Sequence, residues 1–256
     1  MFHILLSPAK TLNFDIDSST ESLDYPLLLS DTKILARTLK TYSSEELGQL
    51  MGISNKLADL NFSRFQDFRT PMPKIARPAL SVFQGDVYMG LEAHSLTKKQ
   101  LSYAQDHLSI LSGFYGLIRP LDLILPYRLE MGTSLKTANA KNLYEFWQLK
   151  IQKALVERMS QSKDKILLHL ASEEYFKSIQ PNSFPLKIVL CQFKNLRKEK
   201  HKIISFLAKK ARGKMARFVL ENKIKSIKDL ECFNESGYVF CKKESKENLL
   251  VFKSEL

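Results

Sequence analysis

Apolar positions along this chain follow two rhythms, short unbroken runs and helical stripes, interleaved from end to end. Residues 2–6 form a short run stopped by Ser7-Pro8, which predicts a buried strand that hands Ala9-Lys10-Thr11 to a turn. A stripe of Leu28, Ile34, Leu35 and Leu39 predicts a helix over 27–40. Residues 79–83, ending at Gly85-Asp86, read as a second strand. Thr97 has N-cap chemistry, and the stripe Leu101, Tyr103, Ala104, Leu108, Leu111 before Gly113 predicts a helix over 97–111. Residues 141–159, with the single tryptophan Trp147, form another amphipathic helix. Short apolar runs at 166–170, 186–190 and 203–207 read as central strands, and 238–241 with 249–252 as a terminal hairpin. Strands interleaved with helices define a mixed α/β (α+β) class with a central mixed sheet flanked by helices. No internal repeat, low-complexity tract or Pro/Gly/Ser-rich linker divides the 256 residues, so a single domain over 1–256 is expected.

A hydrophobic content of 44% is enough for a large core. No run approaches the roughly eighteen apolar residues of a membrane span, and the first residues lack a basic head and a small-residue cleavage site. A cytoplasmic protein with no membrane association is expected. Cys191, Cys232 and Cys241 are odd in number and read as reduced packing thiols. Cys191, with Lys187 and Lys194 near it, is the candidate for redox chemistry.

Charge changes the picture. Residues 187–225 carry 13 Lys or Arg against Glu199 and Glu221, which is +11 of the chain's +12. So localised a positive charge calls for phosphate or a polyanion. Within it, Ala211, Met215, Phe218 and Val219 share one helical face, with Lys210, Lys214 and Arg217 opposite and Lys209 and Arg212 at the flanks. Lys198, Lys200 and Lys202 precede this helix. The segment reads as a cationic ridge gripping phosphate, its positive charges almost unanswered by acids.

Residues 43–68 read as helix, tight turn, helix, with Ser43 or Ser44 capping the first helix, Gly52 between Met51 and Ile53 in the turn, and Ser54 capping the second. The pattern resembles the helix-hairpin-helix of DNA-repair proteins, with Ser54 in place of the usual second glycine, and it makes Gly52, Ser54 and Lys56 candidate phosphate contacts. An ordinary αα-hairpin has the same pattern.

Polar residues gather in loops that follow strands: Lys10; Asp86 and Tyr88; Arg119, Asp122, Arg128 and Glu130; Ser172. Strand-end loops are where α/β proteins place their sites. An enzyme acting on a phosphate-bearing or nucleic-acid substrate would require Lys10, Arg128, Glu130, Ser172 and Arg212 to meet in one pocket. No Walker loop, G-x-S-x-G elbow or dinucleotide fingerprint is present, so no catalytic residue and no cofactor is assigned from motifs. The five histidines show no metal-ligand spacing, and no metal site is expected.

Ser7-Pro-Ala-Lys-Thr-Leu12, Phe83-Gln-Gly-Asp-Val-Tyr88, Leu111-Ser-Gly-Phe-Tyr-Gly-Leu-Ile-Arg-Pro-Leu-Asp122, Pro126-Tyr-Arg-Leu-Glu-Met-Gly132, Leu170-Ala-Ser-Glu-Glu-Tyr-Phe176 and Ile203-Ile-Ser-Phe-Leu-Ala-Lys-Lys-Ala-Arg-Gly213 resemble the YaaA family of bacterial peroxide-stress proteins, over essentially the whole chain. The resemblance implies a cytosolic protein with one unusual α/β domain, a positively charged cleft and sequence-independent binding to duplex and branched DNA. It also implies links with recombinational repair and with limiting free iron under peroxide. Two departures stand out: His169 where the family commonly has Asn, and a more basic stretch over 193–200.

Overall fold

The computed structural model describes residues 1–16 and 24–255. Its core is an eight-stranded mixed sheet. The strands are β1 (Phe2–Leu6), β2 (Leu108–Ser112), β3 (Gly116–Ile118), β4 (Ile166–His169), β5 (Lys187–Arg197), β6 (Lys200–Lys202), β7 (Val239–Phe240) and β8 (Leu249–Ser254). In space they run β7-β8-β5-β4-β1-β2-β3, with β6 paired to β5. The five inner strands β8, β5, β4, β1 and β2 are parallel. This explains the near-continuous apolar runs: every residue of β1 and of β2 is buried.

The helices are α1 (Leu29–Lys40), α2 (Ser44–Met51), α3 (Asn55–Asp67), α4 (Asp86–Leu91), α5 (Lys98–His107), α6 (Leu143–Gln161) and α7 (Ser205–Asn222). Capping chemistry sets several starts. Ser43 and Thr97 each close a capping box, with Glu46 and Gln100 reaching back, and Asn142 caps α6. Ala211, Met215 and Val219 are buried, as the stripe on α7 required.

Three expected elements differ. Residues 79–83 form not a strand but one helical turn, Ala79–Val82, and only Phe83–Gln84 is extended, pairing with Thr11–Leu12. The amides of Ala79 and Leu80 donate to the carbonyls of Asp122 and Pro120, leaving no ladder for a longer strand. The helix expected over 97–111 stops at His107, and Leu108 onward joins the parallel sheet as β2. Residues 203–207 are not a strand, because β5 already has β4, β6 and β8 on its edges and α7 begins at Ser205. Ile203 and Phe206 are consequently 53% and 60% exposed.

The tightest packing is the crossing of α4 on α7. A Cβ added at Gly213 would lie 1.8 Å from the Val87 carbonyl oxygen, and one at Gly90 would lie 2.1 Å from the Lys210 carbonyl oxygen. Backbone meets backbone there, so no side chain can rotate away. Arg217 locks the crossing: its Nη1 donates to the carbonyls of Leu91 and Glu92 at 3.1 Å each and to Ser95 Oγ at 2.7 Å. Gly213→Ala is therefore expected to cost about 1–3 kcal/mol or more by overpacking. A urea-unfolding midpoint unchanged from the wild type would contradict this reading of the crossing.

Candidate functional site

A cleft of about 440 Å³ opens where β1 and β4 end side by side. β1 continues in sequence toward β2 on one side while β4 lies on the other, the kind of strand-order reversal where open α/β sheets place ligands. The chain leaving β1 supplies Ser7 and Lys10, the start of α4 supplies Asp86 and Tyr88, and the loop over 126–132 supplies Tyr127, Arg128 and Glu130. Ser172, Glu174 and Tyr175 follow β4, and Lys209 and Arg212 come from α7.

Local bonds fix these segments to one another. Ser7 Oγ accepts from the Ser172 amide at 2.8 Å, and the Tyr88 hydroxyl donates to the Ser7 carbonyl at 2.9 Å. The Gly132 amide donates to Glu174 Oε1 at 2.9 Å. A Cβ at Gly113 would sit 2.3 Å from the Leu129 carbonyl oxygen, so a bare backbone there lets the 126–132 loop lie flat on the turn after β2. The five side chains that an active-site reading required, Lys10, Arg128, Glu130, Ser172 and Arg212, all line this one cleft.

Its lining is polar and carries charges of both signs. Glu130 is held at both oxygens, by Lys10 at 2.8 Å and by Arg128 at 3.0 Å. Arg128 Nε is buried with no hydrogen-bond partner among the described residues. Burial lowers the pKa of Arg212, Glu173 partly countering it. Ser7 Oγ donates to Ser172 Oγ at 3.2 Å, leaving the Ser172 proton free, but no histidine or carboxylate among the described residues bonds that hydroxyl as a base would. Burial raises the pKa of the Tyr88 and Tyr175 phenols, so they stand as neutral donors. The lining cations Lys10, Arg128, Lys209 and Arg212 face the carboxylates Asp86, Glu130 and Glu174, so the cleft is mixed in charge.

A group of cations without ion pairs among the described residues lies on β5, β6 and the start of α7. β5 runs on to Arg197, seven residues past Leu190, the partner of β4's last residue, or roughly 23 Å at 3.3 Å per residue. This overhang folds back through β6, so Arg197, Lys198, Lys200 and Lys202 stand exposed beyond the sheet. Lys209 and Lys210 are exposed on α7, and none of these six has an ion pair among the described residues. Four other cations of the basic segment are answered by acids, while Arg212, Lys223 and Lys225 have no ion pair among the described residues. Lys187 pairs with Glu247, Lys194 with Glu244, Lys214 with Glu235 and Arg217 with both Glu92 and Glu221. The ridge of Lys210, Lys214 and Arg217 thus divides into one free cation and two structural ones.

Cys191 is buried, and burial pushes its thiol up to about 12 although Arg212 pulls the other way, a setting that disfavours the reactive thiolate and fits a packing residue. Gly52 closes α2 with φ +60°, and both its amide and that of Ile53 turn inward to the Gly48 carbonyl. Ser54 precedes α3 without a side-chain cap bond. Gly52, Ser54 and Lys56 do not line the cleft. Among the described residues no group of three or more His, Cys, Asp or Glu could hold a metal ion, and no helix is long and apolar enough to cross a membrane. Ser7 and Tyr127 are cleft residues that sequence reasoning passed over; the signal for Ser7 was its place immediately after a strand.

Together these features define a mixed α/β protein with a polar, mixed-charge cleft at the strand ends and a cationic overhang. The chain belongs to the YaaA family of peroxide stress proteins, whose family model matches residues 2–244. It is 44% identical over 253 residues to a UPF0246 protein of Aliivibrio fischeri, covering 98% of each chain. A UPF0246 protein of Alteromonas mediterranea is 46% identical over 250 residues, 97% of this chain and 96% of that one. A UPF0246 protein of Flavobacterium johnsoniae is 45% identical over 250 residues, 97% of this chain and 98% of that one.

His169, at the end of β4, stacks on Phe176 at 3.6 Å with Nδ1 buried and unpartnered. Burial, reinforced by the Arg212 charge, pulls its pKa down to about 3. The unfolded chain therefore binds a proton that the folded one refuses between pH 6.5 and 3. The stability His169 supplies is full above pH 6.5 and is lost as pH falls. Relative to His169→Asn, the wild type should lose about 1.4 kcal/mol per pH unit between pH 6 and 4, as read from urea unfolding; parallel curves would refute it.

Proposed function

We propose that this protein binds DNA in a sequence-independent manner in the cytoplasm, gripping the phosphate backbone along a strip that starts at Arg212 and Lys209 in the cleft. The strip continues over Lys210 to Arg197, Lys198, Lys200 and Lys202. The observation that carries the reading is that Arg197, Lys198, Lys200, Lys202, Lys209 and Lys210 are exposed and without an ion pair among the described residues, while Lys187, Lys194, Lys214 and Arg217 are neutralised. Backbone phosphate is the ligand that matches a long, unneutralised cationic strip without groups arranged to read bases. In a peroxide-stress protein such binding serves to protect DNA and support its repair, with any lowering of free iron an indirect consequence. The hairpin of Gly52, Ser54 and Lys56 is a second, smaller contact, offering the uncapped start of α3 to a phosphate.

Neutralising Lys200, Lys202 and Lys210 together with glutamine should lower duplex affinity for any sequence and reduce the log–log salt slope by roughly 0.9 per lost contact. Lys214→Gln should leave the slope in place. Fluorescence anisotropy over a salt series distinguishes the two, and a slope that the triple substitution does not alter sinks the strip. In the same assay Gly52→Asp should weaken binding, and a folded variant that binds normally makes the hairpin structural only.

The convergence of Lys10, Arg128, Glu130, Ser172 and Arg212 favours one second reading, an enzyme acting on a phosphate-bearing or nucleic-acid substrate in the cleft. It predicts turnover of a phosphomonoester, phosphodiester or DNA substrate that Arg212→Gln abolishes. Phosphorus NMR of long incubations is the check, and unchanged substrate in every case leaves the cleft a binding site.

A further inference from the structure

Away from the cleft, a shallow basin of about 370 Å³ is lined by Lys33, Arg37 and Lys40 of α1 and by Arg69 just beyond α3, together with the hydroxyl residues Ser30 and Thr70. No carboxylate lines it. Lys33 and Arg37 are four apart on one helix face and Lys40 follows three later, a spacing at which like charges repel and destabilise the helix. None of the four cations has an ion pair among the described residues. Lys40 is engaged only by neutral oxygens, donating to the carbonyls of Gln66 at 2.9 Å and Phe68 at 3.0 Å, and so takes up the partial negative end of α3. Asp31, the acid on α1, is already held by Lys150 at 2.6 Å. Lys33, Arg37 and Arg69 are exposed.

Four positive charges around a concavity with no counter-charge make an arrangement that an anion would relieve. Two guanidinium groups match the paired oxygens of a phosphoryl group, and lysine adds compact charge. The volume is at the low end of small-ligand sites. We propose that this basin binds a small phosphorylated ligand bearing a diphosphate, either pyrophosphate itself or a nucleoside diphosphate. The site shares no residue with the cleft or the strip, so it stands or falls independently of DNA binding there.

The test is calorimetric titration of the full chain with sodium pyrophosphate and with ADP at low ionic strength. Arg37→Gln combined with Arg69→Gln should weaken both ligands about tenfold or more, as loss of two charge-assisted contacts requires, while the Lys200→Gln, Lys202→Gln, Lys210→Gln variant binds within twofold of the wild type. Pyrophosphate should also raise the wild-type melting temperature above the effect of potassium chloride at equal ionic strength. The proposal is overturned if the wild type binds neither ligand, if the double variant binds both normally, or if the strip variant loses them equally. It is overturned too if the chloride control reproduces the shift. A double variant that loses duplex affinity but keeps pyrophosphate would make the basin a backbone contact and overturn the small-ligand assignment.

Discussion

The backbone contact between α4 and α7 at Gly90 and Gly213 governs much of what this protein can do. α4 carries Asp86 and Tyr88 to the cleft, and α7 carries Lys209 and Arg212. Neither helix reaches the cleft alone, and their separation is set by glycine backbones that leave no slack. Arg217, drawn from the most basic stretch of the chain, spends its charge on the carbonyl end of α4 and fixes that register. Charge that looked available for a partner is thus used to hold together the two helices that line the cleft.

A similar division runs through the whole basic segment. Glu92, Glu235, Glu244 and Glu247 come from three separate stretches of the chain to neutralise Lys187, Lys194, Lys214 and Arg217. What is left without an ion pair among the described residues lies at the end of β5 with β6, in the first two turns of α7, and at Lys223 and Lys225 just past the end of α7. The overhang exists because β5 outruns its neighbour β4; Cys191, Phe193 and Asn195 on it still bury, with β8 pairing as far as Asn195, and only its last residues are exposed. The cleft itself is polar and mixed, with Glu130 tied to Lys10 and Arg128 and Glu174 to the Gly132 amide.

Much of this was legible in the sequence where local pattern decides. β1, α1, α6, α7 and the terminal hairpin followed from apolar periodicity, and Lys10, Arg128, Glu130 and Ser172 were found because residues after strands in α/β folds converge. The errors arose where tertiary supply decides. Residues 79–83 and 203–207 are apolar enough for strands, but one run finds its hydrogen bonds at Asp122 and Pro120 and the other finds the edges of β5 taken. Leu108 and Leu111 continue the stripe of α5 yet belong to the sheet. The free and the neutralised cations of 187–225 could not be told apart, because their acidic partners lie up to 125 residues away in sequence. Arg69 joins Arg37 only through the packing of α3 on α1, so a cationic basin there left no local mark.

Trp147, the single tryptophan, is wholly buried and donates from its indole to the Gly113 carbonyl at 2.9 Å. Gly113 is the residue on which the 126–132 loop rests, and that loop supplies Arg128 and Glu130 to the cleft. The molecule therefore contains one tryptophan fluorophore beside its nine tyrosines, joined by a hydrogen bond to the support of the loop that lines the cleft. Its emission reports the seating of that loop without any label being introduced.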